Sequence, residues 1–130
     1  LLTPISLFQL VVTSCKLNGE TVTPIAFYLA TAPCLAVVDL SWNPIRREGA
    51  SVIVTALQTS PCLTSLSLAG CMLGPQGGRL VAAAAAARAD VGEDKRGFCL
   101  TDLNLSFNGL GAGVADALAK VVKFNNTLVR

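Results

Sequence analysis

Five cysteines and no histidine set the first limit on the chemistry available to this chain. Without histidine it lacks the commonest general base near neutral pH, so serine–histidine and cysteine–histidine nucleophiles are excluded within it. Cys15, Cys34, Cys62, Cys71 and Cys99 contain no CxxC pair and are odd in number. That argues against both a zinc site and a disulfide framework. Asp39 and Asp102 fall at different positions of two separate strand-like segments, so a close acid–base pair is not expected. The run Gly74-Pro75-Gln76-Gly77-Gly78 is glycine-rich but lacks the Lys-Ser/Thr ending of a phosphate loop. Gly49 and Gly113 hold comparable places elsewhere, so the run reads as the start of a helix. No catalytic, cofactor-binding or metal-binding residue is expected.

The elements that must position these residues follow from composition and pattern. The chain has 130 residues, 52% apolar and 14% charged, which suits one compact unit and is too apolar for disorder. The greasiest run, Leu80 to Ala87, is mostly alanine, lies between Arg79 and Arg88, and is too short to span a bilayer. Leu1 to Val12 is apolar, but no basic segment precedes it as a secretory signal requires. The ten basic residues are scattered and the net charge is +2, so no basic stripe for nucleic acid is present. Leu1 stands in place of Met, Leu1 to Ile5 is mostly apolar, and Leu128-Val129 starts a new strand and stops. A soluble repeat array normally caps its ends with polar repeats. The chain is therefore expected to be a piece of a longer protein or part of a larger assembly.

Self-comparison reveals the organisation. Four segments superimpose: Leu7, Leu10, Val12, Cys15, Leu17; then Leu35, Val38, Leu40, Asn43, Ile45; then Leu63, Leu66, Leu68, Cys71, Leu73; then Leu100, Leu103, Leu105, Asn108, Leu110. Each fits L-x-x-L-x-L-x-x-[N/C]-x-L, with first positions 28, 28 and 37 residues apart. The repeats are expected at 7–34, 35–62, 63–99 and 100–127, with a fifth beginning at 128, in one domain over 1–130. The long interval is one period plus an insertion. Alternation within each segment predicts a strand with one buried face, Asn43-Pro44 and Asn108-Gly109 predict turns, and a helix returns the chain. Trios spaced by three and four mark the helical faces: Val22, Ile25, Leu29; Ala50, Ile53, Leu57; Gly78, Val81, Ala85; Ala115, Leu118, Val122.

The pattern resembles the leucine-rich repeats of ribonuclease inhibitor, the NOD-like receptors and the Ran GTPase-activating protein. The period near 28 and the alternation Cys15, Asn43, Cys71, Asn108 are similar to ribonuclease inhibitor and the NOD-like receptors. Both the pattern and the resemblance imply an α/β fold, a right-handed solenoid bent into a horseshoe arc. A parallel sheet lines the concave face and helices form the convex face, because helices are wider than the strand spacing.

The column Cys15, Asn43, Cys71, Asn108 is read as structural. At that turn backbone groups leave the sheet and would be buried unpaired; an Asn amide can both donate and accept there, while a Cys thiol bonds more weakly. Cys34, Cys62 and Cys99 each precede a first leucine and should form a second column of reduced, buried thiols. A partner would meet the residues between the strand leucines. These are Gln9, Val11 and Thr13; Val37, Asp39 and Ser41; Ser65, Ser67 and Ala69; Asp102, Asn104 and Ser106. The next position holds Ser14, Trp42, Gly70 and Phe107. Trp42, the single tryptophan, and Phe107 lie two repeats apart with Gly70 between them, which would leave an apolar cleft about 10 Å wide. They either anchor a partner or pack on neighbouring turns. The charged stretch Asp90 to Gly97 is a contact loop or a tolerated insertion, and the alanine run before it leaves a thin helix on the convex side.

A wide, weakly charged surface suits a protein partner rather than a small molecule. The expected function is a protein–protein interaction module or scaffold in a larger intracellular assembly, in cytoplasm, cytoskeleton or cilium. The resemblance implies two alternatives: a regulator or inhibitor of the NOD-like receptor or ribonuclease-inhibitor type, and an activator of a small GTPase. No residue here matches a functional position of the GTPase activators.

Overall fold

The structure is a computed structural model that describes residues 7–89 and 100–124. Strand and helix alternate along the chain: β1 (Gln9–Val11), α1 (Thr23–Thr31), β2 (Val37–Asp39), α2 (Arg46–Thr59), β3 (Ser65–Ser67), α3 (Gly74–Ala89), β4 (Asp102–Asn104), a 3₁₀ turn (Ala112–Val114) and α4 (Ala115–Phe124). The four strands form one parallel sheet in the order β1-β2-β3-β4. Leu10, Val38, Leu66 and Leu103 stand in one register across it. The insertion residues 90–97, Cys99 and the start of a fifth repeat at 128 lie outside the described residues.

Burial follows the leucine pattern. Val38 and Leu66, at the sheet centre, are closed to solvent, as are Leu35, Leu40, Leu63, Leu68 and Leu100. Leu29, Ile53, Leu57, Val81 and Ala85 meet them from the helical layer. Helices α1 and α2 stop at matching points, where Ala32 and Ser60 turn extended and donate their N–H groups to Tyr28 and Ala56. Each is followed by a proline, Pro33 or Pro61, and the residue before proline is pushed out of the helical region.

Two helical trios hold as expected, with Ala50, Ile53, Leu57 and Gly78, Val81, Ala85 all buried. The others shift. In α1, Ile25 is only half-buried and Ala26 takes the inner position. In the last repeat Ala115 is exposed and Val114 is buried, because the 3₁₀ turn changes the phase where the helix begins.

Candidate functional site

The turns that end β2 and β4 are each built around an amide. The Asn43 Nδ2 donates to the carbonyls of Val12, Leu40 and Ser41 at 2.7, 2.8 and 3.3 Å, and its Oδ1 accepts the N–H groups of Cys15 and Leu17. Asn108 repeats this set on Leu68, Leu105, Ser106, Cys71 and Leu73. Each asparagine thus ties its own turn to the turn before it. Cys71 does less: its thiol donates to Leu40 O at 3.2 Å and sits near Ala69 O. Ile45 N–H, left without an amide oxygen, bonds Asn43 O instead. Burial raises the Cys71 thiol above its ordinary range; Asp39 adds to the rise, and the backbone N–H groups of Asn43 and Trp42 oppose it. Cys71 is the buried member of the described thiols. Cys15 and Cys34 are exposed and Cys62 half-exposed, which corrects the expectation of buried columns. Cys34 and Cys62 follow the helix ends, and the Cys62 thiol donates to Pro33 O of the preceding coil at 2.8 Å.

This frame presents the sheet's open face as rows of equivalent residues. One row is Gln9, Val37, Ser65 and Asp102; the next is Val11, Asp39, Ser67 and Asn104. All eight are exposed or partly so. Asp39 and Asn104 lean toward the turn, each accepting an N–H from the serine two residues on, Ser41 or Ser106. The third expected row departs from expectation. Ser41 and Ala69 are buried, and Ser41 Oγ lies 2.7 Å from Ser67 Oγ. The open face is therefore narrower than alternation alone implied. Asp39 and Asp102 stand on β2 and β4 in different rows, so they do not form a pair. Among the described residues no group of three His, Cys, Asp or Glu side chains could hold a metal. No helix among them is long and apolar enough to cross a membrane.

Above these rows, Ser14, Trp42, Gly70 and Phe107 all adopt left-handed backbone, with φ of 53°, 61°, 63° and 59°. That conformation suits Gly70 and costs a bulky residue about 1–2 kcal/mol. The expected cleft between Trp42 and Phe107 is absent. The rings meet with centroids 5.5 Å apart at 34°. A Cβ on Gly70 would come within 2.3 Å of the Trp42 ring, so the indole lies flat on the glycine backbone. The gap closes because a missing side chain lets Trp42 reach across a whole repeat. The result is a ridge, with Trp42 55% and Phe107 78% exposed. The rings thus pack on a neighbouring turn, one of the two expected outcomes, and still face solvent. Met72, at φ 57°, is exposed at the turn two residues after Gly70. Nothing in the repeat marks it, because its position holds Lys16, Pro44 and Gly109 in the other repeats.

Two of the grooves formed by the described residues lie on the helical side. One, of about 380 Å³ between α1 and α2, is lined by Ala26, Phe27, Ala30, Val52 and Ala56. The other, of about 560 Å³ between α2 and α3, is lined by Arg47, Ser51, Gln76, Arg79, Leu80 and Ala83. The run of alanines beside Arg79 pointed to a thin helix here, but not to Arg47 of the neighbouring coil.

Repeating strand–turn–helix coils on a parallel sheet, locked by an Asn or Cys column, define a leucine-rich-repeat protein. The Leucine Rich repeat family matches residues 31–54, 59–82 and 98–119, more than half of the chain, and the chain belongs to that family. Among solved structures it is similar to leiomodin-1 actin-binding site 2, with a TM-score of 0.75 and 18% sequence identity. That likeness covers 93% of this chain, which spans 66% of the length of the leiomodin-1 chain. At this identity the likeness concerns the fold. No curated protein sequence matches significantly. Leucine-rich repeats are typically binding modules rather than enzymes, so a protein-interaction role is the general assignment.

Proposed function

We propose that this chain is a non-catalytic scaffold segment that takes a protein partner on its open sheet face, with Trp42 and Phe107 as anchors. The observation that carries this reading is the aromatic ridge. Two large rings are held in solvent at left-handed backbone positions, where glycine costs less and already stands in the repeat between them. Aromatic side chains with little freedom left to lose are the usual centres of binding energy. Asp39, Ser67, Asp102, Asn104 and Gln9 supply a polar surround on the adjoining rows, with Val37 an apolar contact among them. The 28-residue period and the alternating Asn and Cys support the ribonuclease-inhibitor-like kind of repeat.

The free thiols among the described residues suit a reducing compartment. The fold shared with a leiomodin-1 segment described as actin-binding makes actin the first defined partner to test, and the cytoskeleton the first place to look. The experiment is co-sedimentation of the chain with actin filaments, together with capture of partners by the intact protein, for wild type and Trp42→Ala. Loss of the ring should weaken binding about 30-fold or more, as removal of a hot-spot tryptophan does. Unchanged affinity for every captured partner removes the ridge from the binding site.

A further inference from the structure

A second surface, on the opposite side of the molecule, has its own chemistry. Arg47 and Ser51 lie one helical turn apart on α2; Gln76, Arg79, Leu80 and Ala83 follow at three, four and seven residues on α3. Both sets therefore face one groove, and these six residues line it. Its depth comes from the small Ser51 and Ala83 between larger flanks. Leu80 is 39% exposed and, with Ala83, provides an apolar floor.

The charge of the groove has one sign. Arg47 donates to Gln76 Oε1 across the groove, while Arg79 borders it from the α3 rim with its guanidinium laid against Gly113 of the next coil; among the described residues neither has a carboxylate partner. Glu48 does not compensate, because its Cβ packs toward Gly19 on the far side of α2. The groove beyond that side shows the contrast: there Lys16 and Arg46 are matched by Glu20 and Glu48. Arg47 also stands in the first turn of α2, where the helix dipole disfavours a cation. An incoming carboxylate would relieve both the unmatched guanidinium and the unfavourable end charge.

We infer that the α2–α3 groove is a docking site for an acidic, amphipathic peptide segment of a partner protein. Its apolar side chains would lie on Leu80 and Ala83, and its carboxylates on Arg47 and Arg79. This surface is separate from the aromatic ridge, so the two can be tested independently.

The test uses the full 130-residue chain and a synthetic helical peptide with leucine and glutamate at alternating three- and four-residue spacings. A matched peptide carries glutamine in place of every glutamate. Binding is read by fluorescence anisotropy, and the contact is mapped by amide chemical-shift changes. The glutamate peptide should bind with a Kd on the order of 10–100 µM, weakening as salt rises. Arg47→Gln and Arg79→Gln should each weaken it about threefold to tenfold, while Trp42→Ala should leave it unchanged. Both arginine side chains are exposed, so neither variant threatens folding. Four results would overturn the inference: no saturable binding at 1 mM peptide (about −4 kcal/mol); equal affinity for the glutamine peptide; an unchanged Kd in the double arginine variant; or shifts that map away from α2 and α3.

Discussion

A buried backbone carbonyl or N–H must find a partner or cost the fold the full price of its desolvation. Asn43 settles five such groups with one side chain. Asn43→Ala should therefore lower stability by about 3 kcal/mol or more in urea denaturation. Asn43→Cys should cost about half as much, since Cys71 fills the equivalent site with a thiol that donates but accepts poorly. Cys71 itself gives a pH test. In the unfolded chain its thiol ionises in the ordinary range, about 8.5. In the folded chain burial keeps the proton on to higher pH. The folded state then binds more protons across that window, and its stability falls as pH rises above about 8.5. Cys71→Ala should show a shallower loss between about pH 8 and 10, measured as the shift of the denaturation midpoint. An equal loss in the variant would mean that the buried thiol contributes nothing to the alkaline decline.

Helices in a solenoid stack closely only where side chains permit, and glycine marks the tightest approach. Gly49, in the first turn of α2, sits against Gly19 in the loop that leads into α1 of the preceding coil. A Cβ there would lie 2.3 Å from Ile45 Cγ2 and 3.2 Å from the Gly19 Cα. Ile45 is fully buried and β-branched, so it has nowhere to move. Gly49→Ala gains up to about 1 kcal/mol in helix propensity but loses about 1–3 kcal/mol to overpacking, and its melting temperature should fall. Gly77→Ala meets its nearest neighbour at 3.1 Å and should be nearly neutral. The same reasoning applies at the aromatic ridge. Gly70→Ala would place a methyl group into the Trp42 ring and demand left-handed backbone from alanine. It should destabilise the protein by about 1–2 kcal/mol and change the fluorescence of Trp42, the chain's single tryptophan. An unaltered emission spectrum would show that the indole does not rest on Gly70.

Across the whole molecule the core is linear, and each coil is covered by the ones beside it. Position in the stack therefore sets the value of an identical leucine. Leu66 is closed to solvent between β2 and β4, while Leu10, in the same register on the first described strand, is only half-buried. Leu66→Ala should cost about 3–5 kcal/mol, and Leu10→Ala about 1–2 kcal/mol, by chemical denaturation. Equal losses would contradict nearest-neighbour stacking. The same geometry gives the protein two unlike faces. The sheet side offers carboxylates and aromatic rings, and the helical side offers arginines over an apolar floor. Were both proposed sites occupied, a single chain would hold two partners of different chemistry without their competing.

Local pattern carried most of the architecture. The leucine alternation, the recurring Asn or Cys and the spacing of the first leucines are enough to place every strand and its register, because a one-residue slip would expose the whole apolar set. The role of Asn43 and Asn108 was readable too, since the amide's donors and acceptors match the needs of a buried turn. Three-dimensional packing decided the rest. No spacing rule could show that Trp42 and Phe107 close over Gly70, because that contact joins residues of alternate coils across an absent side chain. Nor could the strand pattern reveal that Ser41 and Ala69 are covered, or that Arg47 and Arg79 share a groove. Those facts depend on which side chains of separate coils come to lie together, and a chain's own periodicity fixes only which face each one leaves from.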